Sequence, residues 1–136
     1  MKPAGYSGIL LIKKLGIKPG MKILLFHAPE NYIHLLDADL SDQLAIENEI
    51  PELIHLFAGT YKIFLKEMKP ILKLCKKNTS IIIWVSWYKK SSGKATDLTE
   101  NLIREFALQN NLVDIKVYAV SDDWSGLKLV VPLTGR

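Results

Sequence analysis

The stretch "SIIIWVSW", residues 80–87, decides the fold. Three isoleucines, a valine and two tryptophans within eight positions leave no wet face. Their shapes suit a pleated surface, so the stretch reads as a strand covered on both sides, as in the middle of a parallel sheet. Alternation sends Trp84 and Val85 to opposite faces and puts Trp87 near the strand's exit. Immediately before it lies "YKIFLKEMKPILKLCKK" (61–77), with Phe64, Leu65, Met68, Leu72 and Cys75 at helical spacing on one face and Lys62, Lys66, Lys69, Lys73 and Lys76 on another. This is an amphipathic helix, with Pro70 expected as a kink or a restart because proline removes one backbone donor and crowds the turn before it.

Further upstream, "LIHLFA" (53–58) and "MKILLFHA" (21–28), the second following a "KPG" turn, are apolar through their centres and read as two more buried strands. Three central parallel strands result. The acidic segment "DADLSDQLAIENEIPE" (37–52) has room for one short strand around residues 44–46. Downstream, "DLTENLIREFALQNN" (97–111) starts with Asp97 and has Glu100 three positions later, the spacing of a capping box. Leu98, Leu102, Ile103 and Phe106 form its buried stripe, and Asn110 and Asn111 suit its end. In "LVDIKVYAV" (112–120), Val113, Ile115, Val117 and Ala119 alternate with Asp114, Lys116 and Tyr118. The connection "SDDWSG" then leads to "LKLVVPL" (127–133), and so short a link makes the two strands an antiparallel pair. The expected architecture is a single α/β domain over residues 1–136, with 1–16 as an N-terminal arm or helix. It is a reduced Rossmann-like fold, with a mostly parallel central sheet, helices on both faces and a C-terminal antiparallel hairpin.

A chain of 136 residues is long enough for one sizeable core. Its longest apolar runs fall far short of the roughly 18 residues that cross a bilayer, and residues 1–16 lack the long apolar stretch and cleavage site of a secretory signal, so no membrane span and a cytoplasmic setting are expected. The one cysteine, Cys75, cannot form an internal disulfide and is expected as a buried, reduced thiol. The net charge of +4 conceals segregation: residues 37–61 hold six acids and no Lys or Arg, whereas 62–94 hold nine Lys and one Glu. Such blocks can attract an anionic partner, nucleic acid included, through the Lys62 to Lys76 face. The wet face of a sheet-packed helix explains the same lysines and is favoured.

The order of strands and helices closed by a hairpin resembles the architecture of S-adenosylmethionine-dependent methyltransferases. "LGIKPGMKILLF" resembles the approach to that family's first strand, and "ILKLCKKNTSIIIWV" its helix-to-strand passage. The resemblance implies a ligand crevice at the carboxyl ends of the strands. It also implies a glycine-rich acidic segment after the first strand, where this chain has "LLFHAPENY". Ala28, Pro29 and Glu30 make that turn rigid and poor in amides, so no cofactor is expected, and S-adenosylmethionine is disfavoured because the glycine-rich loop is absent. Over almost the whole length, "GYSG", "KKLGIKPG", "WVSWYKKSSGKATDLTE" and "VDIKVYAVSDDWSGLKLVV" resemble a family of small uncharacterised bacterial proteins, a domain of unknown function. That family brings no established activity or site residues.

Candidate chemistry gathers around the strand exits. "SSGKAT" (91–96) fails as a nucleotide phosphate loop: Tyr88 stands where its first glycine belongs, and Ala95 separates the lysine from Thr96. Two readings remain. Lys89, Lys90, Lys94, Ser91, Ser92 and Thr96 can grip an anion at a helix amino end, or Gly93 merely turns the chain while Asp97 caps the helix. His27, at the end of the first strand with Glu30 shortly after, is either a general base or a strand-end residue bonded to a neighbouring carbonyl. His55 reads as a satisfied core residue and His34 as part of a short helix. The three histidines lack metal-site spacing, so no metal is expected. Trp87 and Trp124 either stack on a flat ligand or serve as packing mass. The function expected is a small module, non-catalytic or binding an anionic small molecule or a protein partner, near His27, Trp87, Lys89, Lys94, Thr96, Asp97 and Trp124. The alternatives are a divergent enzyme, methyltransferase-like or a His27-based hydrolase, and nucleic-acid binding through the lysine helix.

Overall fold

The computed structural model describes residues 10–46 and 48–133, so "GYSG" and most of the expected N-terminal arm lie outside the described residues. Five strands form one sheet in the order β1-β2-β3-β5-β4. The three apolar runs become β1 (Ile23–Phe26), β2 (Leu53–Phe57) and β3 (Ile82–Tyr88), all parallel. The acidic segment adds only a single parallel bridge from Leu44 to Ile23. The last two strands, β4 (Val113–Ala119) and β5 (Trp124–Val130), form the expected hairpin, and β5 also runs antiparallel beside β3. The start of the last strand differs most consequentially from expectation. Trp124, Ser125 and Gly126 belong to β5 and not to the connection, because the chain reverses earlier, where the Val120 and Ser121 amides both donate to the Trp124 carbonyl.

Helices cover both faces, and strand alternation assigns each side. Ile54, Leu56, Ile83, Val85, Leu127 and Leu129 pack under α3 (Tyr61–Lys77) and α4 (Glu100–Gln109). Leu53, Phe57 and Trp84 pack under α1 (Leu11–Leu15) and α2 (Tyr32–Leu36). The Trp84 indole N–H donates to the Leu15 carbonyl at 2.8 Å and ties α1 to the sheet. Helix α3 runs unbroken through Pro70, whose ring lies on the exposed side, so there is no restart. Its buried stripe is Phe64, Met68, Ile71 and Cys75; Ile71 replaces Leu65 and Leu72, which are half-buried, and Cys75 is a buried free thiol.

Two further expectations need correction. Asp97 does not cap α4: Thr99 does, its hydroxyl accepting from the Leu102 amide. Asp97 instead accepts from the Tyr61 amide at 2.8 Å, so its carboxylate serves the first turn of α3. In β4 the simple alternation fails at a bulge. Asp114 faces Leu129 and Lys116 faces Lys128, which leaves Ile115 as the extra residue. Since β4 is an edge strand, Ile115 and Val117 are exposed instead of buried.

Two close fits hold the centre. Gly126 lies opposite Ser86, and a β-carbon there would come within 2.9 Å of Val120 Cγ2 and 3.3 Å of Trp84 Cε3. Beside it, His55, fully buried as expected, joins the Tyr32 hydroxyl through Nδ1 at 2.9 Å and the Ser86 hydroxyl through Nε2 at 2.8 Å. A neutral ring satisfies both contacts, donating through one nitrogen and accepting through the other.

Gly126→Ala is expected to cost about 1–3 kcal/mol through overpacking, read as a lower urea midpoint with an unchanged slope. An unaltered midpoint would show that Trp84 and Val120 yield freely. Burial pushes His55 down to about 3 from its ordinary 6.5. The unfolded chain therefore takes up a proton that the folded chain refuses. Stability is complete above pH 6.5 and is lost as pH falls toward 3, by up to about 1.4 kcal/mol per pH unit. Urea midpoints between pH 7.5 and 5 measure this above most carboxylate titrations, and His55→Gln should flatten the dependence. An equal slope in both proteins would assign it elsewhere.

Candidate functional site

The parallel strands β1, β2 and β3 end on one side of the sheet, and β5, running the other way, begins there. This brings His27, Gly59, Tyr88 and Trp124 around a cavity of about 400 Å³. Its apolar wall is aromatic. The Tyr88 and Trp124 rings stack with centroids 4.1 Å apart, and Phe57 meets Trp124 edge-on at 5.1 Å. Beneath them Phe57 stacks on His55 at 4.2 Å, so the floor of the cavity rests on the buried Tyr32–His55–Ser86 chain. Gly59, just past β2, lies within contact distance of the Tyr88 ring.

The polar rim sets each basic side chain against a carboxylate. Lys94 Nζ sits 5.4 Å from the Tyr88 ring centre and 3.7 Å from the Asp123 carboxylate. His27 Nε2 meets the Glu67 carboxylate of α3 at 2.5 Å, with the imidazole side chain 45% exposed and the carboxylate 15%. His27 therefore stands at the strand end as expected, but the partner of its ring is the Glu67 carboxylate and not a neighbouring carbonyl. Its backbone is left-handed, with φ of 56°. The turn after β1 thus has a shape that glycine adopts freely, while bearing an imidazole.

The seven residues singled out from sequence divide. His27, Lys94 and Trp124 share the aromatic cavity. Trp87 faces the α4 side of the sheet and, with Lys89, Lys94 and Thr96, lines a wider adjoining cleft of about 980 Å³. Asp97 belongs to neither and borders a shallow depression with Tyr61, Lys62 and Lys66. Trp87 and Trp124 therefore cannot clamp one ligand, because adjacent strand positions face opposite ways and Tyr88, not Trp87, lies opposite Trp124. Part of the loop's polar equipment holds the loop itself. The Ser92 hydroxyl donates to the Lys89 carbonyl and accepts from the Lys94 amide, and the Thr96 hydroxyl accepts from the Leu98 amide.

Phe57, Gly59, Glu67, Tyr88, Ser121 and Asp123 were not singled out beforehand. Two left a trace in the sequence. Tyr88 is the strand neighbour of Trp87, and Glu67 is the sole acid among nine lysines in residues 62–94. Among the described residues, no group of three or more His, Cys, Asp or Glu side chains converges to hold a metal, and no helix is long and apolar enough to cross a membrane.

No protein-family model matches the chain, and no curated protein sequence matches it. Solved structures do. An uncharacterized protein from Listeria monocytogenes serotype 4b aligns over 93% of this chain and 68% of its own, with 10% identity and a TM-score of 0.55. A protein in the NADB-Rossmann superfamily from Streptococcus agalactiae aligns over 93% of this chain and 69% of its own, with 8% identity and a TM-score of 0.48. Likeness at such identities speaks to the fold alone. Taken with the parallel β1-β2-β3 core and the helices on both faces, it makes this a Rossmann-like α/β fold.

Proposed function

We propose that the chain is a binding module that takes a small anionic molecule bearing a flat group in the crevice at the carboxyl ends of β1, β2 and β3. One observation carries this reading: the stacked Tyr88–Trp124 pair, with the Lys94 ammonium beside the tyrosine ring, lines a concave site at the ligand-binding end of an open α/β sheet. Aromatic faces favour a planar group, and the Lys94 ammonium favours negative charge. Lys94 is half exposed and its carboxylate partner lies at 3.7 Å, so an incoming phosphate or carboxylate displaces a contact worth about 0–1 kcal/mol. What weighs against an adenosyl cofactor is the turn after β1, where Pro29 has no amide and the His27 side chain stands where a glycine would leave bare backbone. The same reading keeps the chain with the family of small bacterial proteins its motifs resemble, and in the cytoplasm.

A divergent enzyme is the second reading, favoured by the His27–Glu67 pair. A carboxylate on Nε2 orients the imidazole, and Nδ1 has no partner among the described residues, so it is left to take a proton from a ligand.

Thermal melting against phosphate, nucleotides, S-adenosylmethionine and S-adenosylhomocysteine tests both readings. A ligand at a hundred times its dissociation constant stabilises by about 2.7 kcal/mol, a rise of several degrees. The expected result is stabilisation by a compound joining a flat ring to an anionic group, lost in Lys94→Ala and Trp124→Ala. Selective stabilisation by the two adenosyl compounds would restore the cofactor, and no shift with any of them would remove the small-molecule reading. Turnover of a stabilising compound, abolished in His27→Gln, would make the protein an enzyme.

A further inference from the structure

Along the opposite half of β5, four residues and roughly 13 Å from Trp124 at the rise of a strand, lies a second concentration of charge. Lys128 of β5 is the direct cross-strand neighbour of Lys116 of β4, and both share the α1 face of the sheet with Trp84. Tyr118 stacks on Trp84 at 5.8 Å, and two ammonium groups stand by its ring: Lys116 Nζ at 5.5 Å and Lys14 Nζ, from α1, at 5.4 Å. Two lysines from two separate elements thus stand by one tyrosine, and a third, Lys128, lies across the strand pair from one of them. Neither Lys116 nor Lys128 makes an ion pair among the described residues.

Edge protection accounts for part of this. A lysine and a bulge on an outer strand discourage other chains from pairing there, and Lys116 and Ile115 fit that role. It does not account for Lys128. That residue lies on an interior strand, paired on both sides, where it is half-buried directly opposite another cation, an arrangement that destabilises a sheet. Its ammonium is held below the usual lysine range by desolvation first and by Lys116 second. An anion bridging the two would offset both costs.

We infer that Lys116 and Lys128, with Lys14 and the Tyr118 ring, form a phosphate-binding site separate from the crevice and suited to a multiply charged group such as a diphosphate. Multiple charge matters because the cations are borne by three separate elements, so more than one charged oxygen is needed to meet them. The phosphate can be free or carried by a larger molecule. The tyrosine offers a surface for whatever flat group is attached to it.

The test is a site-resolved titration of the intact protein with inorganic pyrophosphate and, separately, with adenosine diphosphate, in 0.15 M salt and followed in amide spectra. Saturable shifts centred on Lys116, Tyr118 and Lys128 are expected, weakened at least tenfold in Lys116→Met and in Lys128→Met. Equal affinity for the two probes assigns recognition to the diphosphate, and tighter binding of the nucleotide adds the Tyr118 ring. Both variants should melt no lower than the wild type in phosphate-free buffer, because each removes one of two facing cations, and pyrophosphate should raise the melting temperature of the wild type more than theirs. The inference is overturned if pyrophosphate shifts are unchanged in the variants, if they spread equally over Lys62 to Lys76, or if the wild type shows none at this salt.

Discussion

The structure depends on the pairing of β3 with a parallel neighbour on one edge and an antiparallel one on the other. Parallel pairing with β2 aligns the strand ends that open the crevice, and antiparallel pairing with β5 brings the start of a later strand to the same end. The register sets Ser86 against Gly126 and Tyr88 against Trp124. The first of these pairs closes the core at a glycine where a β-carbon would crowd Val120 and Trp84. The second builds the aromatic wall. Core and site are thus two points on one ladder, separated by a single turn of the pleat.

The crevice is electrostatically quiet for a region bearing so many lysines. Its cation and its imidazole each have a carboxylate, supplied by Asp123 and Glu67 from elements distant in sequence. On the reading proposed above, an anionic ligand would exchange with one of these carboxylates at the rim, over an aromatic floor backed by a fully bonded buried histidine. The lysine pair on β4 and β5 is the opposite case, with like charges adjacent and no ion pair to either among the described residues.

The sheet was legible in the sequence because its signals are local. Continuous apolar runs mark the buried strands, a 3.6-residue period marks α3, and a short link marks the hairpin. Strand order was not legible, since nothing local says that β5 enters between β3 and β4. The missed site residues follow from that. Tyr88 and Trp124 become partners only through register, and Glu67 reaches His27 from forty positions away. The errors at Asp97 and Ile115 have the same origin. Asp97 carries the right chemistry for a cap and serves the neighbouring helix, and the apolar alternation of β4 is interrupted by a bulge that no side-chain pattern announces. His55 was read correctly because a histidine inside an apolar run has few outcomes besides a bonded core position.

The position of β5 also has a temporal consequence. Every strand before it can be synthesised while the sheet stays incomplete, with the β3 edge from Ile82 to Tyr88 open and two tryptophans beside it. Closure waits for residues beyond 123 and joins strands separated by a helix and a further strand, a topology that slows folding and prolongs the exposure of apolar surface.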